Sequence, residues 1–117
     1  MNEKEQTSIA VVVDDRSALL SSIKACGKTK NLKEGIRIHS EILQRRIFHK
    51  DIYINNALIS MYGKCHSLED SNIVFNRINH KTVVSWNAVL TACRQNMDET
   101  MALTLFHQME NEHVEPD

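Results

Sequence analysis

The stretch Asn56-Ala57-Leu58-Ile59-Ser60-Met61-Tyr62-Gly63-Lys64-Cys65 has a counterpart on either side of it. Moved back by 36 residues, Ile59 meets Ile23, Gly63 meets Gly27 and Lys64 meets Lys28, and the same shift brings Leu68 onto Leu32 and Val74 onto Ile38. Moved forward by 31 residues, Asn56-Ala57-Leu58-Ile59-Ser60 meets Asn87-Ala88-Val89-Leu90-Thr91, Val74-Phe75 meets Leu105-Phe106, and Ile78 meets Met109. Two gap-free registers of this length mark internal repetition, and a period in this range points to a stacked array of small units. The units are 16–51, 52–82 and 83–117. Residues 1–15 show no helical period, and their β-branched run from Ala10 to Val13 ends at Asp14 and Asp15. They read as a lead-in, poorly ordered as chain ends commonly are.

Each unit reads as two helices. Leu32, Ile36, His39 and Leu43 follow the i, i+4, i+7, i+11 spacing of an amphipathic helix, as do Ile54, Leu58, Met61 and Cys65. Met101, Ala102, Leu105, Phe106 and Met109 make a wide apolar face in the last unit. Start signals agree: Asn31 with Glu34 three residues on resembles a capping box, Ser67 with Asp70 can cap the matching helix, and Asp98 the one after that. Pro116 is a stop signal beyond the last helix. Ile52-Tyr53-Ile54 and Thr82-Val83-Val84-Ser85-Trp86 favour strands by local propensity. Their place at the start of equivalent helical units overrides it. A helix pair of this size cannot bury its apolar face alone, so the units must stack. The expected fold is all-α, a right-handed alpha-alpha superhelix, that is, a solenoid of helix-turn-helix repeats.

Composition narrows the chemistry. Apolar content of 42% and charged content of 25% suit a folded chain. A formal net charge of −1 with interleaved acids and bases means that bulk phosphate attraction cannot carry nucleic-acid binding. Cys26, Cys65 and Cys93 lack the close spacing of a zinc or redox motif and read as small buried apolar residues. No cofactor and no metal site is expected. The six histidines are scattered, and no nucleophile triad, phosphate loop or placed carboxylate pair occurs, so the chain does not read as an enzyme. Lys28, Lys30 and Lys33, and Arg45, Arg46 and Lys50, read as solvated helix faces. No apolar run approaches the ~20 residues of a membrane span, and no membrane role is expected. The start, with Glu3, Lys4 and Glu5, is unlike a transit peptide.

Val83-Val84-Ser85-Trp86-Asn87-Ala88-Val89-Leu90 resembles the opening of a standard pentatricopeptide repeat, Ala102 to Met109 its second helix, and Val114-Glu115-Pro116-Asp117 its closing turn. Asn56 to Cys65 is similar to the short repeat of a land-plant subfamily, and Ile23-Lys24-Ala25-Cys26 with Gly35-Ile36-Arg37-Ile38-His39 to its long repeat. The order long, short, standard matches that subfamily over residues 16–117. His66 and His113 stand where glycine is usual, Ser71 where alanine is, and Asn79 where proline is common. No deaminase-like His-x-Glu and Cys-x-x-Cys signature is present. Family members carry many more repeats, so the resemblance implies a piece of a longer array, a degenerate copy or a truncated product.

The resemblance implies sequence-selective binding of single-stranded RNA, one unit to one base, by a non-catalytic adaptor in RNA processing or editing in a mitochondrion or chloroplast. Splayed bases are then read by hydrogen bonds to their edges. In the family the fifth and last residues of a unit face the base. Those are Asn87 and Asp117 in the standard unit, a pair that favours uracil, and Asn56 and Thr82 in the short unit, which leans to pyrimidines. The long unit offers Leu20 and Asp51 and is expected to read weakly. Second residues pack between bases: Tyr53, an aromatic able to stack, and Val84. From the residues alone, Asn56 and Asn87 also fit helix-end positions that satisfy backbone groups. Tyr53 and Trp86 fit packing, and Trp86 is assigned to the core. The implied partners are single-stranded RNA and RNA-editing or processing enzymes, with self-association through uncapped solenoid ends. The alternatives are a protein–protein interaction solenoid and a truncated copy with little RNA affinity.

Overall fold

The computed structural model describes residues 8–46 and 48–112, with side chains from Arg16 onward. Six helices follow one another: α1 (Ser8–Thr29), α2 (Leu32–Arg45), α3 (Ile52–Lys64), α4 (Leu68–Arg77), α5 (Val83–Gln95) and α6 (Glu99–Asn111). No strand occurs among the described residues. The first helices of the three units stack side by side, α1 on α3 on α5; α2 packs against α1 and α3, α4 against α3 and α5, and α6 against α5. This is a helical-repeat solenoid.

Both strand-like segments are helical apart from Thr82, the N-cap, because the tertiary stack buries one side of each. Ile54, Ser85 and Trp86 are buried, and Trp86 packs edge-on against Phe75 with ring centroids 4.8 Å apart. The central unit carries most of the core: Ile54, Leu58, Met61 and Cys65 are all buried, as the spacing predicts. The α2 stripe is different. Gly35, Ile38 and Ile42 are its buried residues, while Ile36 and Leu43 are exposed. Two apolar rows lie side by side on this helix, and α1 and α3 cover only one of them. In α6, Leu105 and Met109 are buried but Phe106 is 39% exposed. Its counterpart Phe75 is covered by the following unit.

The expected lead-in 1–15 divides. Residues 1–7 lie outside the described residues, whereas from Ser8 the backbone is already helical and runs without a break into the first unit. Once a helix is nucleated each further residue adds one hydrogen bond, so an adjoining segment can join it without a period of its own.

The caps show which start signals were local. Asn31 accepts from the Glu34 amide at 3.2 Å and Asp98 from the Met101 amide at 2.9 Å. Glu34, however, pairs with Arg37. Ser67 holds the N-cap position but makes no cap bond; its hydroxyl donates to Asp70 at 2.5 Å. Pro116 and His113 lie outside the described residues. Ser71, in place of alanine, is fully buried and its hydroxyl donates to the Ile59 carbonyl at 2.9 Å, which satisfies it.

Candidate functional site

The parallel stack of first helices creates a groove of about 1100 Å³ across α1, α3 and α5. Two close approaches set its depth. A β-carbon on Gly63 would stand 2.6 Å from the Ala92 β-carbon, and one on Gly27 would stand 3.3 Å from the Met61 α-carbon. Glycine at these two repeat-equivalent positions lets each first helix lie directly on the next.

The groove has two bands. One band holds Arg16 and Leu20 from the middle of α1 with Tyr53, Asn56 and Val84 from the beginnings of α3 and α5; the helix ends contribute Lys24, Lys28, Lys64 and Gln95, with Lys30 and His66 in the turns beyond. Along α3 the bands are eight residues apart, ~12 Å at the helical rise. No carboxylate is among the described lining residues. The solvated face expected of Lys28 and Lys30 is part of this groove. The signal that places Lys28 was available, since it is the repeat counterpart of Lys64.

In the first band Tyr53 is 66% exposed, with the Arg16 guanidinium 5.3 Å from its ring centroid, and Val84 is 59% exposed. Both are free to meet a planar ligand. Arg16 Nε also donates to Asp51 Oδ2 at 2.7 Å, while Asp51 Oδ1 caps α3 by accepting from the Tyr53 and Ile54 amides at 2.9 and 3.1 Å. Burial pushes the Asp51 carboxyl up. The bond from Arg16, its positive charge and the two capping amides outweigh burial and hold it below the usual carboxylate value. Asp51 is thus committed to fixing the junction of the first two units, and Leu20, which lines the groove, offers no polar edge.

Asn56 forms part of the groove floor and is 9% exposed. It caps no backbone group. Its Oδ1 accepts from the Ser85 hydroxyl, 2.7 Å away on α5. Thr82 is the N-cap of α5 and makes a reciprocal capping box with Ser85, so it does not line the groove. Asn87 is half-buried on α5 and also lies outside the lining; Asp117 falls outside the described residues. The structure therefore gathers Tyr53, Asn56 and Val84 in one groove and leaves Thr82 and Asn87 off its wall.

Burial pushes the thiols of Cys26, Cys65 and Cys93 up from their ordinary value, which disfavours the nucleophilic thiolate. Among the described residues no three metal-ligating side chains converge, and no helix is long and apolar enough to cross a membrane.

The sequence profile of the pentatricopeptide repeat domain matches residues 70–117. Proteins of Arabidopsis thaliana named as pentatricopeptide repeat-containing are similar over most of the chain. One is 38% identical over 108 residues, 92% of this chain and 15% of its own length. A second is 36% identical over 97 residues, 83% of this chain and 14% of its own length. The chain belongs to the pentatricopeptide repeat family. A third relative, 33% identical over 104 residues, covers 89% of this chain and 16% of its own length, and its name includes the word mitochondrial. The chain thus spans about 15% of the length of these pentatricopeptide repeat relatives. Proteins of this family are in general non-catalytic, RNA-binding repeat proteins of organelles.

Proposed function

We propose that this chain is a single-stranded RNA-binding segment of an organelle RNA processing or editing adaptor. The observation that supports the reading most is the separation of charge. The groove collects Arg16, Lys24, Lys28, Lys30 and Lys64 with no carboxylate among its described lining residues, on a chain whose net charge is −1. Such a field draws a polyanion to one face only. Beside the cations stand an exposed tyrosine for stacking and a buried asparagine for edge recognition, the two kinds of contact that single strands offer. A mitochondrial or chloroplast setting, and recruitment of an editing or processing enzyme, come with the family and the mitochondrial name of one relative.

Few units imply weak binding. One or two stacked or hydrogen-bonded bases contribute ~1–3 kcal/mol each, against the cost of ordering the strand. The test is therefore an NMR titration, which reads weak complexes. Amide shifts of the labelled chain are followed with oligouridine and oligoadenosine at fixed moderate salt. Shifts clustered on Tyr53, Asn56, Val84 and Lys64, larger for uridine, are the expected result. Shifts scattered over α2, α4 and α6, or none, would sink the reading and leave the protein-interaction solenoid in its place.

A further inference from the structure

We infer that Ser85 is a specificity-determining residue of the preceding unit: its hydroxyl fixes the Asn56 carboxamide so that the NH2 group, a donor only, is what the groove presents to a base. The inference rests on the RNA-binding reading of that groove.

Hydrogen counting supports it. The Ser85 hydroxyl is buried and has one proton. Its oxygen accepts from the Thr82 backbone N–H at 3.2 Å, and the Ser85 N–H is in turn taken by Thr82 Oγ1 at 3.2 Å. The Thr82 hydroxyl also lies 3.2 Å from the Ser85 oxygen and has a proton of its own to donate there, so the box can use the serine oxygen as an acceptor throughout, and the Ser85 proton goes to Asn56 Oδ1, at 2.7 Å the shortest bond of the set. An asparagine side chain has one oxygen and one nitrogen end. With the oxygen engaged, the nitrogen remains, and among the described residues it meets no acceptor. It is not a fully buried, unsatisfied atom either. It keeps an opening on the groove whose floor Asn56 forms.

The sequence carries a parallel. Asn56 is the fifth residue of its unit and Ser85 the third of the next. One unit earlier the same two positions hold Leu20 and Ile54, both apolar. A polar reader is thus matched with a polar supporter across one unit boundary, and an apolar residue with an apolar one across the other.

A donor fixed in place selects a ring carbonyl. Uracil offers O2 and O4. Adenine accepts too, at ring nitrogens N1 and N7, but each of these stands beside its exocyclic amino group, a donor that a fixed NH2 cannot accept. Were the amide free to turn, its oxygen would meet the adenine amino group equally well, and the selection would fade. The serine thus acts through Asn56 as a positioning residue.

The test uses the whole labelled chain in two arms. Without RNA, the side-chain NH2 resonances of Asn56 are compared in wild type, Ser85→Ala and Ser85→Thr. Alanine is expected to move and broaden them, and threonine, which keeps the hydroxyl, to preserve them. With hexauridylate and hexaadenylate as probes, Ser85→Ala is expected to lower the uridine-over-adenosine affinity ratio about fivefold, the worth of one hydrogen bond. Ser85→Thr restores it. Asn56→Asp keeps an acceptor for Ser85 but replaces the donor with an oxygen, and it should lose the ratio as well. This second variant keeps the inference falsifiable if the alanine variant fails to fold. A wild-type ratio retained in Ser85→Ala or Asn56→Asp, or Asn56 resonances unmoved by Ser85→Ala, overturns the role of Ser85 and leaves RNA binding standing. A wild-type chain that responds to neither probe overturns both.

Discussion

Lys30, His66 and Met97 occupy one repeat position, and all three are left-handed, with φ of 57°, 62° and 56°. Each ends a first helix and turns the chain toward the second. The left-handed region costs a residue with a β-carbon ~1–2 kcal/mol, and glycine relieves it. Met97 is 88% exposed, so removing its side chain sacrifices little packing. Met97→Gly should raise unfolding free energy by ~0.5–1 kcal/mol after the entropy of the unfolded glycine is counted; an unchanged or lower urea midpoint would refute this. A second residue-scale effect belongs to His39. Its Nδ1 lies 2.7 Å from the Tyr62 hydroxyl, and burial, then the positive charge of Arg77, holds the imidazole below its ordinary 6.5, with Asp70 opposing. Burial, with the Asp70 and Cys65 charges, pushes Tyr62 up to about 12, so it stays a donor. Because the folded imidazole resists a proton that the unfolded one accepts, stability is full above pH 6.5 and declines as pH falls toward the lowered folded value. Melting temperatures should therefore drop between pH 7.5 and 5.5, less steeply in His39→Gln. Equal slopes in the two proteins would refute a His39 contribution. Sequence reading found the caps of Asn31 and Asp98 because donor and acceptor are three residues apart. It missed the Asn56–Ser85 bond, which spans 29 residues and depends on how two units meet.

At the scale of elements, the contact between α3 and α5 governs the groove. Gly63 sits where a β-carbon would stand 2.6 Å from the Ala92 β-carbon and 3.0 Å from its α-carbon. Neither is the end of a flexible chain, so relief requires the helices to part. Alongside, Asn96 Nδ2 donates to the Gly63 carbonyl at 3.0 Å and to the Ala92 carbonyl at 2.8 Å, tying the two helices at the same level. Gly63→Ala would favour an isolated helix by up to ~1 kcal/mol, but overpacking costs ~1–3 kcal/mol. The net expectation is a loss of ~1–2 kcal/mol together with weakened RNA binding, since Lys64 and Gln95 move apart. A Gly63→Ala chain as stable as wild type, measured by urea unfolding, would show that the close approach is dispensable. The helices themselves were legible from period and caps. The buried side of α2 was not, because its apolar residues fit two stripes and only the positions of α1 and α3 choose Ile38 and Ile42 over Ile36 and Leu43. The beginning of α1 was hidden for a related reason: residues 8–15 lack a period of their own and are helical by continuity with the remainder of that helix.

Over the whole molecule, the alternation of acids and bases along the chain becomes a segregation in space. The helices α3 and α5 contain no acidic residue, while α2, α4 and α6 each carry at least two. A net charge of −1 therefore hides a groove whose described lining is basic, while the acids of α2, α4 and α6 stand away from it. The sum over a sequence cannot show this, although charge sorted by repeat position can. The segregation makes a quantitative expectation. Each phosphate neutralised by a lysine contributes about −0.7 to the slope of log affinity against log salt for single strands. Replacing the repeat-equivalent pair, Lys28→Gln with Lys64→Gln, should make the slope for oligouridine shallower by about 1.4 and weaken binding at low salt more than at high salt. The uridine-over-adenosine ratio should survive, because phosphates carry no base identity. A slope unchanged by the double substitution would remove the lysine band from the interface, even if the bases are still read. A ratio lost together with the slope would mean instead that these lysines hold the strand in the register that Asn56 needs.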